Sequence, residues 1–267
     1  MAKRPEGETA VLDGPEISVR EGSSAISPKL IVPLGRGSRG KTAFVRWAAE
    51  RAQSHGREVV IADMDRTNPT LSGFFGGVTQ PEEVGDVDVR EWLAAFVEGQ
   101  IENRFSAFLD LGGGDLILKQ VARDMDLVPF LERHGIQPVA VHVLGPDRDD
   151  LAYLRDMEQA GVFAPAATIL VLNEALVPAN RSVKPAFETL VQHEIFRAAL
   201  GRGAKAVWMP RLAAMHEVDN RRLTFSDAEG GKVKEGQAPI GPWNRQVVAK
   251  WRRDMEAAFA DVAHLLP

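Results

Sequence analysis

Gly35-Arg36-Gly37-Ser38-Arg39-Gly40-Lys41-Thr42 constrains this chain more than any other stretch. It matches the pattern G-x-x-x-x-G-K-[ST], in which a glycine-rich loop wraps phosphate oxygens. Such a loop needs a buried strand before it and a helix after it. Lys29-Leu30-Ile31-Val32-Pro33-Leu34 supplies the strand, and Thr42–Ser54 supplies the helix, with Phe44, Val45, Ala48 and Ala49 on one side. Backbone N–H groups from Gly35 through Ala43 can then converge on an anion, aided by the helix dipole. Lys41 would reach the β- and γ-phosphates, and the Thr42 hydroxyl would ligate Mg²⁺. The alternative is a glycine-rich turn without a ligand.

Residues 1–28 are polar and rich in Gly, Ser, Glu and Pro, and read as a flexible tail ahead of a domain over 29–267. In the domain, apolar runs at Leu30–Leu34, Glu58–Ala62, Ser106–Leu109, Pro138–Leu144, Thr168–Leu172 and Ala206–Met209 read as strands. Helical periods fall at Thr42–Ser54, Val89–Glu98, Asp115–Arg133, Asp147–Ala160, Val183–Leu200 and Trp243–Leu266. Continuous apolar strands alternating with helices predict an α/β fold, a mostly parallel sheet with helices on both faces. Lys232–Gly241 reads as a loop.

Composition narrows the class. The 267 residues are 45% hydrophobic and 26% charged, as in ordinary globular chains. No apolar run is long enough for a membrane helix, and Met1–Glu8 does not read as a secretory signal. The absence of cysteine excludes thiolate metal sites and disulfides, and suits a reducing cytoplasm. A net charge of -5 argues against a globally basic nucleic-acid binder.

Parallel sheets bind ligands at the carboxyl ends of their strands. After the second strand comes Asp63-Met64-Asp65, two carboxylates placed to serve Mg²⁺ and a hydrolytic water, or else ordinary surface acids. After the third comes Asp110-Leu111-Gly112-Gly113-Gly114. An acid ending an apolar strand suits Mg²⁺, and the glycines suit close approach to a γ-phosphate. Asn173 ends the fifth strand and can read a purine edge or cap a loop. Met209-Pro210-Arg211 ends the sixth and can flank a base or simply terminate the strand. Asp147-Arg148-Asp149-Asp150 follows the fourth. Arg221, Arg222, Arg245, Lys250, Arg252 and Arg253 form a candidate basic face, balanced by Asp254 and Glu256.

This order of motifs resembles the ParA/MinD class of dimeric P-loop ATPases, whose loop reads G-K-G-G-x-G-K-[ST]. Here Arg36 stands at the signature lysine and Ser38 at the following glycine position. The resemblance implies a SIMIBI-type P-loop NTPase fold, with ATP and Mg²⁺ as ligands. Arg36 would reach the partner's phosphates in a homodimer, and Asp65 would orient water. Asp63, Asp110 and Thr42 fall at Mg²⁺-linked positions, while Asn173, Pro210 and Arg211 fall at base-reading ones. Asp65-Arg66-Thr67-Asn68, Met209–Leu212 and Arg222–Ala228 resemble the TraL/StbB group of conjugative plasmids.

The expectation is a slowly hydrolysing, ATP-dependent cytoplasmic switch that positions plasmid DNA, a conjugation complex or another assembly. It would work with a small DNA-binding or cargo protein, and with non-specific DNA if the basic face is real. The rivals are a small-molecule ligase or kinase on the same scaffold, and a non-hydrolysing scaffold.

Overall fold

The structure, a computed structural model, describes residues 27–65, 70–83, 85–111, 116–159 and 161–267. The expected tail through residue 26, the Arg66-Thr67-Asn68 motif and the Gly112–Gly114 turn lie outside the described residues.

Six strands form one sheet: β1 (Lys29–Leu34), β2 (Val59–Asp63), β3 (Ser106–Asp110), β4 (Gln137–Leu144), β5 (Ala167–Asn173) and β6 (Lys205–Met209). Their order is β2-β3-β1-β4-β5-β6, and every pairing is parallel. All six predicted strands are present, with ends within one residue or so of the apolar runs. Both faces of β1 and nearly all of β4 and β5 are buried, which is why these strands show no polar alternation.

The order explains where the helices go. The chain steps one way from β1 to β2, then the opposite way at each later crossover. Right-handed crossovers therefore put the first helix on one face and the later ones on the other. The packing agrees. Phe44, Val45 and Trp47 of α1 (Lys41–Ser54) share a core with Ile31, Val141 and Val171. Leu93 and Phe96 of α2 (Asp86–Asn103) pack with Leu30, Val32 and Leu109 on the opposite side. Sequence direction reverses between β1 and β4, so a crevice opens at their carboxyl ends.

Two predicted helices are broken, each for a local reason. Asp115–Arg133 is α3 (Leu116–Asp124) and α4 (Leu127–Arg133). Restarting at Leu127 puts Pro129 in a first turn, where its missing N–H breaks no helical bond. Val183–Leu200 is α6 (Val183–Val191) and α7 (Glu194–Gly201), split where His193 Nδ1 accepts from Ile195 N. Between them in sequence and these breaks lies α5 (Arg148–Gln159). The sequence reading did not include α8 (Met215–Asn220) and α9 (Phe225–Gly230), six residues each and too short for a period. The last helix, α10 (Pro242–Ala258), starts on a proline and gives way to a 3₁₀ segment at Ala260–Leu265. Lys232–Gly241 has no regular structure.

His142 on β4 is fully buried, and among the described residues neither ring nitrogen has a hydrogen-bond partner. Burial, with Arg202 nearby, pushes its pKa down to about 3. The folded state therefore holds it neutral while the unfolded chain protonates near pH 6.5. Stability from this group is complete above that pH and is lost as pH falls toward 3, by about 1.4 kcal/mol per unit. Urea unfolding of wild type and His142→Leu at pH 7, 5 and 4 should show the variant losing less stability on acidification. Parallel acid slopes would contradict this.

Candidate functional site

The site begins with the backbone of the loop between β1 and α1. Gly35 (φ 142°) and Gly40 (φ 97°) are both left-handed, and Ser38 shares that geometry at φ 61°. A Cβ on Gly35 would sit 2.6 Å from the Val143 carbonyl, so the loop lies directly against β4. Gly40 precedes α1, and Phe44 N is the first donor to return to its carbonyl, at 3.0 Å. The N–H groups of Lys41, Thr42 and Ala43 therefore have no intrahelical partner. Lys41 is buried, and its ammonium donates to the Gly35 carbonyl at 2.9 Å.

A side chain from the far end of β5 braces this loop. Asn173 Nδ2 donates to the Arg39 carbonyl at 2.8 Å, and Asn173 Oδ1 accepts from Ala175 N at 3.0 Å. Of the two roles open from sequence, loop capping is the one its contacts serve. Arg211 likewise donates to the Glu174 and Val177 carbonyls.

Asp63 is also turned to the backbone. Its carboxylate accepts from Asp65 N at 3.0 Å and Leu71 N at 3.2 Å, and burial nonetheless raises its pKa. It shapes the turn after β2 rather than facing outward. Asp110, at the end of β3 and in register with Asp63, is buried as well.

Arg36 and Arg39 turn toward the acids that follow β4. Arg39 Nε donates to Asp150 Oδ1 at 2.9 Å, and Arg39 Nη2 lies 3.3 Å from Asp147. Asp150 is almost wholly buried and also accepts from Gly145 N at 2.7 Å. Burial raises its pKa against the pull of these donors. Arg36 Nη1 lies 3.3 to 3.7 Å from carboxylates of Asp147, Asp149 and Asp150, without hydrogen-bond geometry. Charge alone places it there.

A cleft of about 560 Å³ joins the pieces, a size suited to a small-molecule ligand. Gly37 through Ala43, Asp65, Asp110, Asn173 and Pro210 all line it. Gly35, Arg36, Asp63 and Arg211 do not. The sequence reading missed a second part of the wall, formed by Arg46, Phe74, Leu212, Met215, Asp219 and Trp251. One signal was present: Arg46 interrupts the apolar run Phe44–Ala49 and Glu50, one turn on, ends it. Both are buried. Arg46 binds Asp219 and the Leu223 carbonyl, and Glu50 accepts from Phe225 N and Ser226 N. The Arg222–Ala228 motif is thus what α1 grips.

Three of the six residues of the candidate basic face are paired with acids, and a fourth is held by backbone carbonyls. Lys250 pairs with Asp254, Arg252 with Glu229, Arg221 with Glu217, and Arg245 donates to the Glu229 and Gly230 carbonyls. Among the described residues, no group of three or more His, Cys, Asp or Glu side chains is placed to hold a metal, and no helix is long and apolar enough to cross a membrane.

No family model and no curated protein matches this sequence. The fold itself is α/β, a six-stranded parallel sheet with helices on both faces and a glycine-rich loop after β1. Similar solved structures include the MinD cell division protein of Aquifex aeolicus (14% identity, 85% of this chain and 97% of that one, TM-score 0.46). Another is chloroplast FtsY of Physcomitrella patens (15%, 88% and 67%, TM-score 0.45). A third is a nucleotide-binding protein of Archaeoglobus fulgidus in complex with ADP (14%, 72% and 86%, TM-score 0.41). Identity and score are low throughout, so these likenesses decide neither ligand nor activity.

The loop geometry separates its glycines. A Cβ on Gly40 would lie 2.5 Å from Asn173 Nδ2, on a left-handed backbone, whereas one on Gly37 meets nothing within 4 Å. Gly40→Ala should cost about 1–3 kcal/mol of stability, and Gly37→Ala less than about 0.5 kcal/mol. Denaturant unfolding of both variants checks the contrast, and equal losses would refute the strained geometry.

Proposed function

We propose that this chain binds ATP with Mg²⁺ and hydrolyses it slowly as a dimerising switch. The observation that carries this reading is the single cleft uniting the loop amides of Gly37–Ala43, Lys41, Thr42, Asp65 and Asp110. Phosphates would lie on the loop amides at the start of α1, where the helix dipole favours negative charge. The Lys41 ammonium, now on the Gly35 carbonyl and more loosely on that of Arg36, would swing off these two hydrogen bonds to reach them. The residues also fit magnesium, which at phosphate sites takes one or two side chains and fills its shell with phosphate and water. Thr42 and Asp110 are the two on the cleft wall, and the ion would draw charge from the transferring phosphoryl oxygens. Asp65 would orient the attacking water.

Dimerisation is proposed through Arg36. Its carboxylate partners are half or more exposed in two of three cases. Exposed pairs of this kind are worth about 1 kcal/mol or less, so the guanidinium can leave them for a partner's phosphates. The proposed cargo, plasmid DNA or a conjugation assembly, rests on the sequence resemblance, as do a small DNA-binding or cargo partner and cytoplasmic location. The ligase or kinase rival needs convergent polar groups for a second substrate. Asp147-Arg148-Asp149-Asp150 is its candidate stretch, and all three of its carboxylates already lie on Arg36 or Arg39.

Calorimetric titration with Mg²⁺-ATP should show binding by wild type and none by Lys41→Ala. Asp65→Ala should bind ATP yet lose turnover, because a water-orienting group matters most in the transition state. Wild type silent to millimolar ATP, or Asp65→Ala turning over normally, would overturn the respective role.

Sedimentation velocity tests the dimer. Wild type should dimerise with a slowly hydrolysed ATP analogue and stay monomeric with ADP. Arg36→Ala should remain monomeric with both while still binding ADP. A wild type that never dimerises would remove the switch.

A further inference from the structure

The cleft is longer than a triphosphate needs. Besides the loop, its wall takes in Leu212, Met215, Trp251, Arg46 and Asp219. If phosphates occupy the loop, as the reading above holds, this part of the cleft is open to the nucleoside. The polar groups expected there from sequence already brace backbone: each amide atom of Asn173 holds one backbone group, and Arg211 holds two carbonyls.

Asp219 remains. Its side chain is 45% exposed, and Oδ1 accepts from Arg46 Nη1 at 2.6 Å. Arg46 cannot drift. It is 3% exposed, its Nη2 donates to the Leu223 carbonyl at 3.0 Å, and its guanidinium lies 3.6 Å from the Phe74 ring and 4.5 Å from Phe225. Cation–π contact and hydrogen bonding therefore fix the direction of the Asp219 carboxylate. Among the described residues, Oδ2 accepts no hydrogen bond, so Asp219 offers one oriented acceptor beside apolar walls suited to a flat ring.

We propose that Asp219, oriented by Arg46, is the base-specificity residue of the cleft and accepts a hydrogen bond from the exocyclic amine of adenine. An ionised carboxylate only accepts. Adenine presents its N6 amine as a donor at the position where hypoxanthine presents a carbonyl, which the carboxylate repels. The nucleotide class that fits is an adenosine phosphate.

The test is calorimetry on the full chain with the Mg²⁺ complexes of ATP, inosine triphosphate and inorganic tripolyphosphate. Wild type should prefer ATP to inosine triphosphate by about tenfold or more, as expected for one hydrogen bond to a charged group. In Asp219→Asn the amide can donate as well as accept, so that ratio should fall toward one while tripolyphosphate binds as in wild type. Asp219→Glu keeps the charge but moves the acceptor by a methylene, and should also lower the ratio if the asparagine variant proves too unstable to assay. A wild type that binds both nucleotides equally, a ratio unchanged in the variants, or an equal loss for both nucleotides would overturn the proposal while leaving the phosphate site intact. A wild type that binds neither nucleotide nor tripolyphosphate would instead overturn the phosphate site itself.

Discussion

The loop after β1 has to reverse direction against β4 while keeping its amides turned inward, and the surrounding structure is arranged to hold that bend. Gly35 permits the contact with the Val143 carbonyl, and Gly40 permits the entry into α1. Neither explains why the loop stays in place. The Asn173 amide does, by fastening the Arg39 carbonyl to the end of β5. A net hydrogen bond is worth about 1 kcal/mol, but an unanchored loop would also lose the fixed inward direction of its N–H groups. Because β5 and β1 flank β4 in the sheet, the brace spans the crevice where sequence direction reverses.

Charge on the two sides of α1 does different work. Arg36 lies on aspartates after β4 of which two are half or more exposed, contacts that are weak and reversible, whereas Arg39 is bonded to buried Asp150. Arg46 and Glu50 are buried, and burial lowers the pKa of the first and raises that of the second. Each is held by its own partners, Arg46 by Asp219 and the Leu223 carbonyl, Glu50 by the amides of Phe225 and Ser226. The helix that starts at the loop is thus clamped to the segment carrying α8 and α9, while Arg36 of the loop itself stays releasable.

The six strands were legible because each is a continuous apolar run buried on both faces. The phosphate-type loop was legible because its glycines and lysine are local in sequence. Helix ends were less so: Pro129 and His193 break periods that continue through them. Asp63 shows the limit of motif reading, since spacing places a carboxylate at the right sheet edge without saying that Asp65 and Leu71 amides claim it. Asn173 and Asp219 depend on partners 134 and 173 residues away, a distance no local pattern encodes. The charged pair Arg46 and Glu50 inside an apolar helix face was the one sequence signal for the second lobe, and Thr224 capping Asp227 N was the signal for α9.

The central claim is that the amides from Gly37 to Ala43 form an anion site. Backbone amide chemical shifts of isotope-labelled protein, followed while inorganic tripolyphosphate with Mg²⁺ is added, test it without reference to base, dimer or turnover. The account predicts saturable shifts concentrated at Gly37 through Ala43, with little change along α10. A folded protein whose loop amides do not move at millimolar tripolyphosphate would contradict it.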